Sequence, residues 1–346
     1  MIGTEAHTQA SARIDRGTRH YSAYGLRLAA DLDLPGLDPV AADLGEPDIE
    51  VRLGALPSPS DLDRAGPAQP FYVSPETGAS GQPWLMVERR SGSIYRFNYA
   101  EGIEFVLDAG TGALWCRWGS GLGPEDATLY LLGPILGFVL RLRGIVCLHS
   151  GAVVADGHAL SVVGASGAGK STLTAVLARE GCPVLSDDVL PIDRGRYGLR
   201  VRSGYPRLRL RPDLVEHLYG AVDAKPLLSP TWDRRYLDLA AEGLAFHAGS
   251  VPPGAVYVLD HGAAASGPFS SERLRGHEAL SLLIAHSYRN ELLTRAMRRE
   301  EFLLLAELVR QVPVLRLRLG SGLAALDGLG TRLLEDFREH GHVPTR

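Results

Sequence analysis

Gly164-Ala165-Ser166-Gly167-Ala168-Gly169-Lys170-Ser171 is the stretch on which the reading of this sequence turns. Gly164 and Gly169 hold the two fixed positions of a phosphate-cradling loop, with Lys170 and Ser171 directly behind them. Glycine accepts positive φ and lets backbone N–H groups approach phosphate oxygens with no Cβ in the way. The loop, taken through Thr172, is predicted to bind a nucleoside triphosphate, read here as ATP. Lys170 is expected on the β and γ phosphates and the Ser171 hydroxyl on a Mg2+ ion. The flanks agree: Leu160 to Val163 reads as an apolar strand, and Leu173, Val176 and Leu177 mark one face of a helix from Lys170 to Glu180. Gly181 then stops that helix.

Moving outward, the short run Pro183 to Ser186 reads as a strand that ends on Asp187-Asp188. Two adjacent carboxylates at the end of a buried strand repel one another and lose hydration, and a bound cation offsets both effects. One of the pair is expected to hold the metal and the other to take the proton of an attacking hydroxyl. Upstream, His149 ends the apolar run Ile145 to Leu148, shortly before a hairpin turning at Asp156-Gly157 feeds the loop. Arginines form the last class, with Arg207, Arg209 and Arg211 alternating along one strand and Arg234-Arg235 following Trp232-Asp233. Guanidinium groups stabilise charge that develops during phosphoryl transfer.

Three stretches organise the chain. Residues 1–20 are polar and without periodicity, and are expected to be a loose tail. Residues 21–123 carry short runs of strand formers, such as Ile49 to Leu53, Trp84 to Val87, Ile94 to Phe97 and Ile103 to Leu107, separated by Pro, Gly, Ser and Asp clusters. That pattern predicts a mostly antiparallel β domain, with a place in substrate recognition. Residues 124–346 mix strands and helices around the glycine loop and read as an α/β domain. It opens with a helix from Pro124 to about Arg143, and a long helical region from His277 to Val312 precedes a closing strand and a final helix.

The 346 residues are 45% hydrophobic and 22% charged, an ordinary globular balance, and the net charge of −4 argues against a nucleic-acid partner. Lysine occurs only at Lys170 and Lys225 among 36 basic residues, so Lys170 stands out in a chain that otherwise uses Arg. Cys116, Cys147 and Cys182 have neither metal-site nor paired spacing and read as buried thiols in a reducing compartment. The start of the chain has no basic segment followed by an apolar one, and the longest apolar run, Ala127 to Leu140, is too short to span a membrane. A cytoplasmic protein with no membrane partner is expected.

Taken in order, His149-Ser150-Gly151, the loop Gly164 to Ser171, and Ser186-Asp187-Asp188 resemble the catalytic domain of the HPr kinase/phosphorylase family, over roughly Leu129 to Leu329. The resemblance implies a P-loop core of the HPr-kinase/carboxykinase type, with Asp187 as general base, Asp188 assisting the metal and His149 near the transferred phosphate. Trp232-Asp233-Arg234 is similar to a family segment that contributes a phosphate-facing arginine, which implies a catalytic role for Arg234. Two features depart from the HPr-specific members: Gly204 to Asp213 stands where their signature falls, and His-Ser-Gly replaces their His-Gly. The chain is more similar to the HPr-kinase-related proteins found with peptide-modifying systems, including kinases that tailor lasso-peptide precursors at a serine. That branch implies a peptide or protein acceptor, and the wider family implies homo-oligomers.

The leading expectation is therefore an ATP- and Mg2+-dependent serine kinase. The alternative is a nucleotide-hydrolysing switch without a phosphoryl acceptor. The sequence has neither a guanine-reading Asn-Lys-x-Asp motif nor the Leu-Ser-Gly-Gly-Gln element of transporter ATPases. A carboxykinase would call for more lysine and histidine ligands than two lysines allow, and a nucleotide-binding module without catalysis shares the loop.

Overall fold

The computed structural model describes residues 17–42, 45–78, 81–220, 227–229, 232–260, 269–320 and 322–341, without the side chains of 227–229 and 232–234. Residues 1–16 of the expected tail lie outside the described residues.

The first layer is an eight-stranded sheet made of β1 (Arg19–Ala23), β2 (Leu26–Ala30), β3 (Ile49–Leu53), β4 (Gln69–Val73), β5 (Leu85–Arg90), β6 (Ile94–Tyr99), β7 (Ile103–Asp108) and β8 (Ala113–Trp118). Its spatial order is β1-β2-β3-β8-β7-β6-β5-β4. Only the two pairings that flank β3 are parallel. Along β6 the burial alternates strictly, so Tyr95, Phe97 and Tyr99 all point to one face. That face meets Phe138, whose ring stands edge-on to Tyr95 at 5.0 Å and to Phe97 at 5.4 Å.

Phe138 belongs to the helical segment that follows the sheet. After a short helix α1 (Pro59–Arg64) between β3 and β4, the expected single helix is α2 (Pro124–Tyr130) and α3 (Leu136–Leu142), joined by a π-helical turn over Leu131–Ile135. Pro134 lies inside that turn; it has no N–H to give to the ladder, so the helix widens there. The segment is buried on nearly all sides. It belongs to one apolar cluster with the inner face of the sheet and with Cys147, Val189, Tyr205 and Tyr288.

The second layer centres on β9 (Val146–Ala155), which turns at Asp156 and Gly157 into β10 (His158–Val163). Both turn residues have positive φ, 47° and 77°, the geometry that a two-residue hairpin requires. β11 (Val184–Ser186) and β12 (Val189–Gly195) both pair with β9. With β13 (Gly198–Arg202), β17 (Ser250–Val251), β18 (Pro253–Leu259), β19 (Phe269–Leu274) and β20 (Val314–Leu319) the order is β17-β13-β12-β9-β10-β18-β20-β19. The pairings β10–β18 and β18–β20 are parallel. A small third sheet joins β14 (Arg207–Leu210), β16 (Trp232–Asp238) and β15 (Leu227–Ser229).

Large sheets with helices packed on them make this an α/β protein. The helices that matter here are α4 (Lys170–Arg179), α5 (Pro212–Tyr219), α6 (Gly276–Ala285), α7 (Arg295–Gln311) and α8 (Leu329–His340). The long helical region expected from His277 to Val312 is broken between α6 and α7. Leu148 bridges Ser287 there, and the amide of Tyr288 donates to the Cys147 carbonyl at 2.8 Å, so the break is stitched to β9. A buried ion pair between Arg141 and Glu301, shared with the Ser287 hydroxyl, pins it from behind. Among the described residues no helix is long and apolar enough to cross a membrane.

Candidate active site

Strand β10 runs directly into the glycine loop, and α4 starts at Lys170. Gly167 and Gly169 have φ of 80° and 105°, which a side chain would make costly. Gly169 is also the cap of α4, and no side chain bonds to the first-turn amides of that helix. Those amides and the helix dipole are what an anion finds at a helix start. Close approach of α4 to the sheet depends on Gly151, where a Cβ would collide with Thr174.

Lys170 is 7% exposed, and its Nζ donates to the carbonyls of Gly164 and Ala165, each at 2.9 Å. Burial pushes its pKa down to about 8, against the opposing pull of Asp188 and Asp187. The Ser171 hydroxyl donates to Asp187 Oδ1 at 2.8 Å, and the Arg209 backbone N–H donates to Asp187 Oδ2 at 3.0 Å. Burial raises the pKa of Asp187, against these two hydrogen bonds.

Asp188 faces the other way. Its backbone is left-handed, with φ of 79°, unusual for a residue other than glycine or asparagine. Its Oδ2 accepts from Arg209 Nη1 at 3.0 Å and from the Tyr288 hydroxyl at 3.3 Å, while Oδ1 lies 3.4 Å from His149 Nδ1. Burial opposes its ionisation, but Arg209, with help from His149, Arg289 and Lys170, holds the carboxyl below its ordinary value. The His149 ring stacks parallel on Tyr288, 5.8 Å between centroids. Burial lowers its pKa despite Asp188, so the imidazole is neutral at neutral pH.

These groups line one cleft of about 520 Å³. The glycine loop, Asp187, Asp188 and His149 form one part of its wall. Arg209 to Arg211 with Leu214, the segment Ala285 to Arg289 with Glu291, and Leu129, Tyr130, Pro134 and Trp84 form the rest. The sequence-predicted residues Gly164 to Thr172, Asp187, Asp188 and His149 are thus brought together, although Ala168 is not among those lining the cleft. Arg234 falls in β16, and its side chain lies outside the described residues.

Sequence reasoning left out several residues that line the cleft. Arg209 reads from sequence as one of an alternating set, and His286, Tyr288 and Arg289 fall inside the stretch that reads as one long helical region. Their signal was present: Ser287 and Asn290 interrupt an apolar helical pattern, which marks a break and therefore a loop.

A phosphate fits the loop, because the positive-φ glycines, the uncapped start of α4 and the Lys170 ammonium converge there. The paired oxygens of Ser171 and Asp187, with the second carboxylate next in the chain, are the hard donors magnesium prefers.

No protein-family profile matches the sequence, and a comparison with curated proteins finds no match. Among solved structures the chain is similar to the HPr(Ser) kinase/phosphatase from Coxiella burnetii. The TM-score is 0.31 and the identity 13%, over 56% of this chain and 89% of that one. A likeness of that degree leaves the functional reading to the residues of the cleft.

Proposed function

We propose that the chain is a phosphotransferase with a P-loop core, and more particularly an ATP- and Mg2+-dependent kinase of the HPr-kinase-related kind. Its acceptor would be a hydroxyl, a serine of a peptide or protein. The observation that carries this reading is the meeting of Lys170 and Ser171 with two differently held carboxylates in one cleft. A nucleotide-binding module without catalysis has no need of a second carboxylate aimed at the same space.

In the proposed reaction the acceptor oxygen bonds to the γ phosphorus and the bond from that phosphorus to the β–γ bridging oxygen breaks, releasing ADP. The acceptor proton passes to a carboxylate of the Asp pair. The sequence reading gives that task to Asp187 and the metal to Asp188; the hydrogen bonds favour the exchange. Both oxygens of Asp187 are occupied, by Ser171 and the Arg209 amide, which suits the metal side. Among the described residues Asp188 Oδ1 has only His149 at 3.4 Å, which leaves it to meet a hydroxyl. Magnesium bound at Ser171 and Asp187 would neutralise phosphate charge. Lys170 holds the phosphates, and Arg209 orients Asp188.

The test is a mass-shift assay of the purified protein with ATP, magnesium and candidate serine peptides. A single phosphate added to one peptide, and lost in Lys170→Ala, is the expected result. Sustained ATP turnover with no acceptor ever labelled would favour the switch instead.

A further inference from the structure

We propose that Arg289 is a further catalytic residue of this cleft, its guanidinium meeting the transferred phosphoryl group, with Trp84, which leads into β5 of the first sheet, as the residue that positions it. The proposal rests on the kinase reading above. Three arginines with described side chains line the cleft: Arg209, Arg211 and Arg289. Arg209 has spent its Nη groups, one on Asp188 and the other on the Tyr205 hydroxyl at 2.6 Å. Arg211 forms a two-pronged pair with Asp213 at 3.0 and 2.8 Å and is well exposed. Among the described residues Arg289 has one polar contact, a long one of 3.5 Å from Nη1 to Glu291, and its Nε, like that of Arg209, is buried without a hydrogen-bond partner. A half-buried guanidinium with donors to spare, beside the glycine loop, is arranged for an anion.

Its placement is built rather than incidental. Arg289 has φ of 49° and ψ of 48°, a left-handed backbone that a non-glycine residue adopts at a cost. That conformation opens the 3-10 turn Asn290–Leu292, and the side chain lies by Trp84, whose ring centroid is 5.2 Å from the guanidinium carbon. The Tyr288 ring centroid is 6.0 Å from the same carbon, and its hydroxyl is the one that donates to Asp188. Trp84 is in turn anchored, its Nε1 donating to Glu101 Oε1 at 3.0 Å. Stacking on aromatic faces fixes the plane of a guanidinium while leaving its N–H edge for a phosphoryl oxygen. The residue that leads into β5 of the first sheet thereby contributes a side chain to the cleft.

The experiment compares affinities of the full-length protein for Mg-ADP and for Mg-ADP with aluminium fluoride, a mimic of the phosphoryl group in flight that needs no acceptor. Arg289→Ala should leave ADP affinity within about twofold and weaken the fluoride complex on the order of 10²-fold or more. Trp84→Leu should weaken it about tenfold, Trp84→Phe should restore most of that, and Trp84→Leu should add nothing in the Arg289→Ala background. Arg289→Lys, which keeps the charge without the fork, serves where the alanine variant melts early. Equal losses for ADP and its fluoride complex, or Trp84 and Arg289 effects that simply multiply, would overturn the proposal. A wild-type protein that binds ADP but shows no gain from fluoride overturns it too, with nucleotide binding intact. Wild type that binds neither removes the kinase reading along with it.

Discussion

Asp188 Oδ2 and Arg209 Nη1 lie 3.0 Å apart, with the Tyr205 hydroxyl 2.6 Å from the other end of the same guanidinium. Both partners are shielded, with side chains 18% and 15% exposed. Removing one partner of such a pair leaves a poorly hydrated charge, at a cost of about 3 kcal/mol. Arg209→Ala is expected to lower unfolding free energy by that order in urea titration, and Asp188→Asn combined with it should recover part of the loss. An Arg209→Ala protein as stable as wild type would show the pair to be solvent-screened.

The two carboxylates should separate by their magnesium dependence. Asp187→Asn is expected to raise the half-saturating magnesium concentration at least tenfold, because it loses the oxygen beside Ser171. Asp188→Asn should lower turnover by about 10²-fold or more with that concentration unchanged. Asparagine also tolerates the left-handed backbone at this position, so the fold is retained. The opposite pattern would return the roles to the assignment drawn from sequence.

Lys170 gives a pH signature. Its pKa in the folded chain is about 8, below the ordinary 10.5, so below pH 8 a buried charge destabilises the ligand-free protein. That penalty is relieved as pH rises from about 8 towards 10.5, where the unfolded chain holds more protons than the folded one. Lys170→Met is therefore expected to raise the Tm of the ligand-free protein at pH 7, with the difference shrinking by pH 10. Nucleotide affinity has the opposite sense: phosphates favour the ammonium, so Mg-ATP binding should weaken about tenfold per unit above pH 8. Calorimetry at pH 8.5 in buffers of different ionisation heat would show proton uptake on binding.

Much of the site was legible because its chemistry is local. Lys170, Ser171 and the glycines lie within one loop, and the hairpin and α4 follow from turn residues and apolar spacing that tertiary contacts did not override. Arg209 and Arg289 were not legible as site residues. In a chain so rich in arginine the residue type carries little information, and their placement is decided by partners remote in sequence, Asp188 for Arg209 and Trp84 for Arg289. The strands β1, β2, β4 and β8 escaped notice as well. β2, β3 and β8 pair across long sequence separations, which alternation within one strand does not reveal. The π turn at Leu131–Ile135 was foreshadowed by Gly133-Pro134, which reads equally well as a kink.

Gly137 should be intolerant of even one methyl group. A Cβ there would lie 2.7 and 2.9 Å from ring carbons of Tyr288, both closer than real contacts allow. Gly137→Ala is expected to destabilise by about 1–3 kcal/mol despite the better helix propensity of alanine. It should also depress turnover, because the displaced ring carries the hydroxyl that donates to Asp188. A second change, Tyr288→Leu, should recover stability and leave turnover low; thermal melts and initial rates read the two separately.

Gly133 and Gly137 together leave Tyr288 room to lie against the helical segment, and Phe138 of that same segment sits in the aromatic face of the first sheet. One helical segment thus touches the sheet through Phe138 and, through Tyr288, the Asp188 carboxylate. The two halves of the molecule are in consequence poor candidates for shuffling: a foreign first sheet grafted onto this second layer would have to match the tilt of the segment to within the clearance of a methyl group, or the chemistry would go out of alignment while the nucleotide still bound.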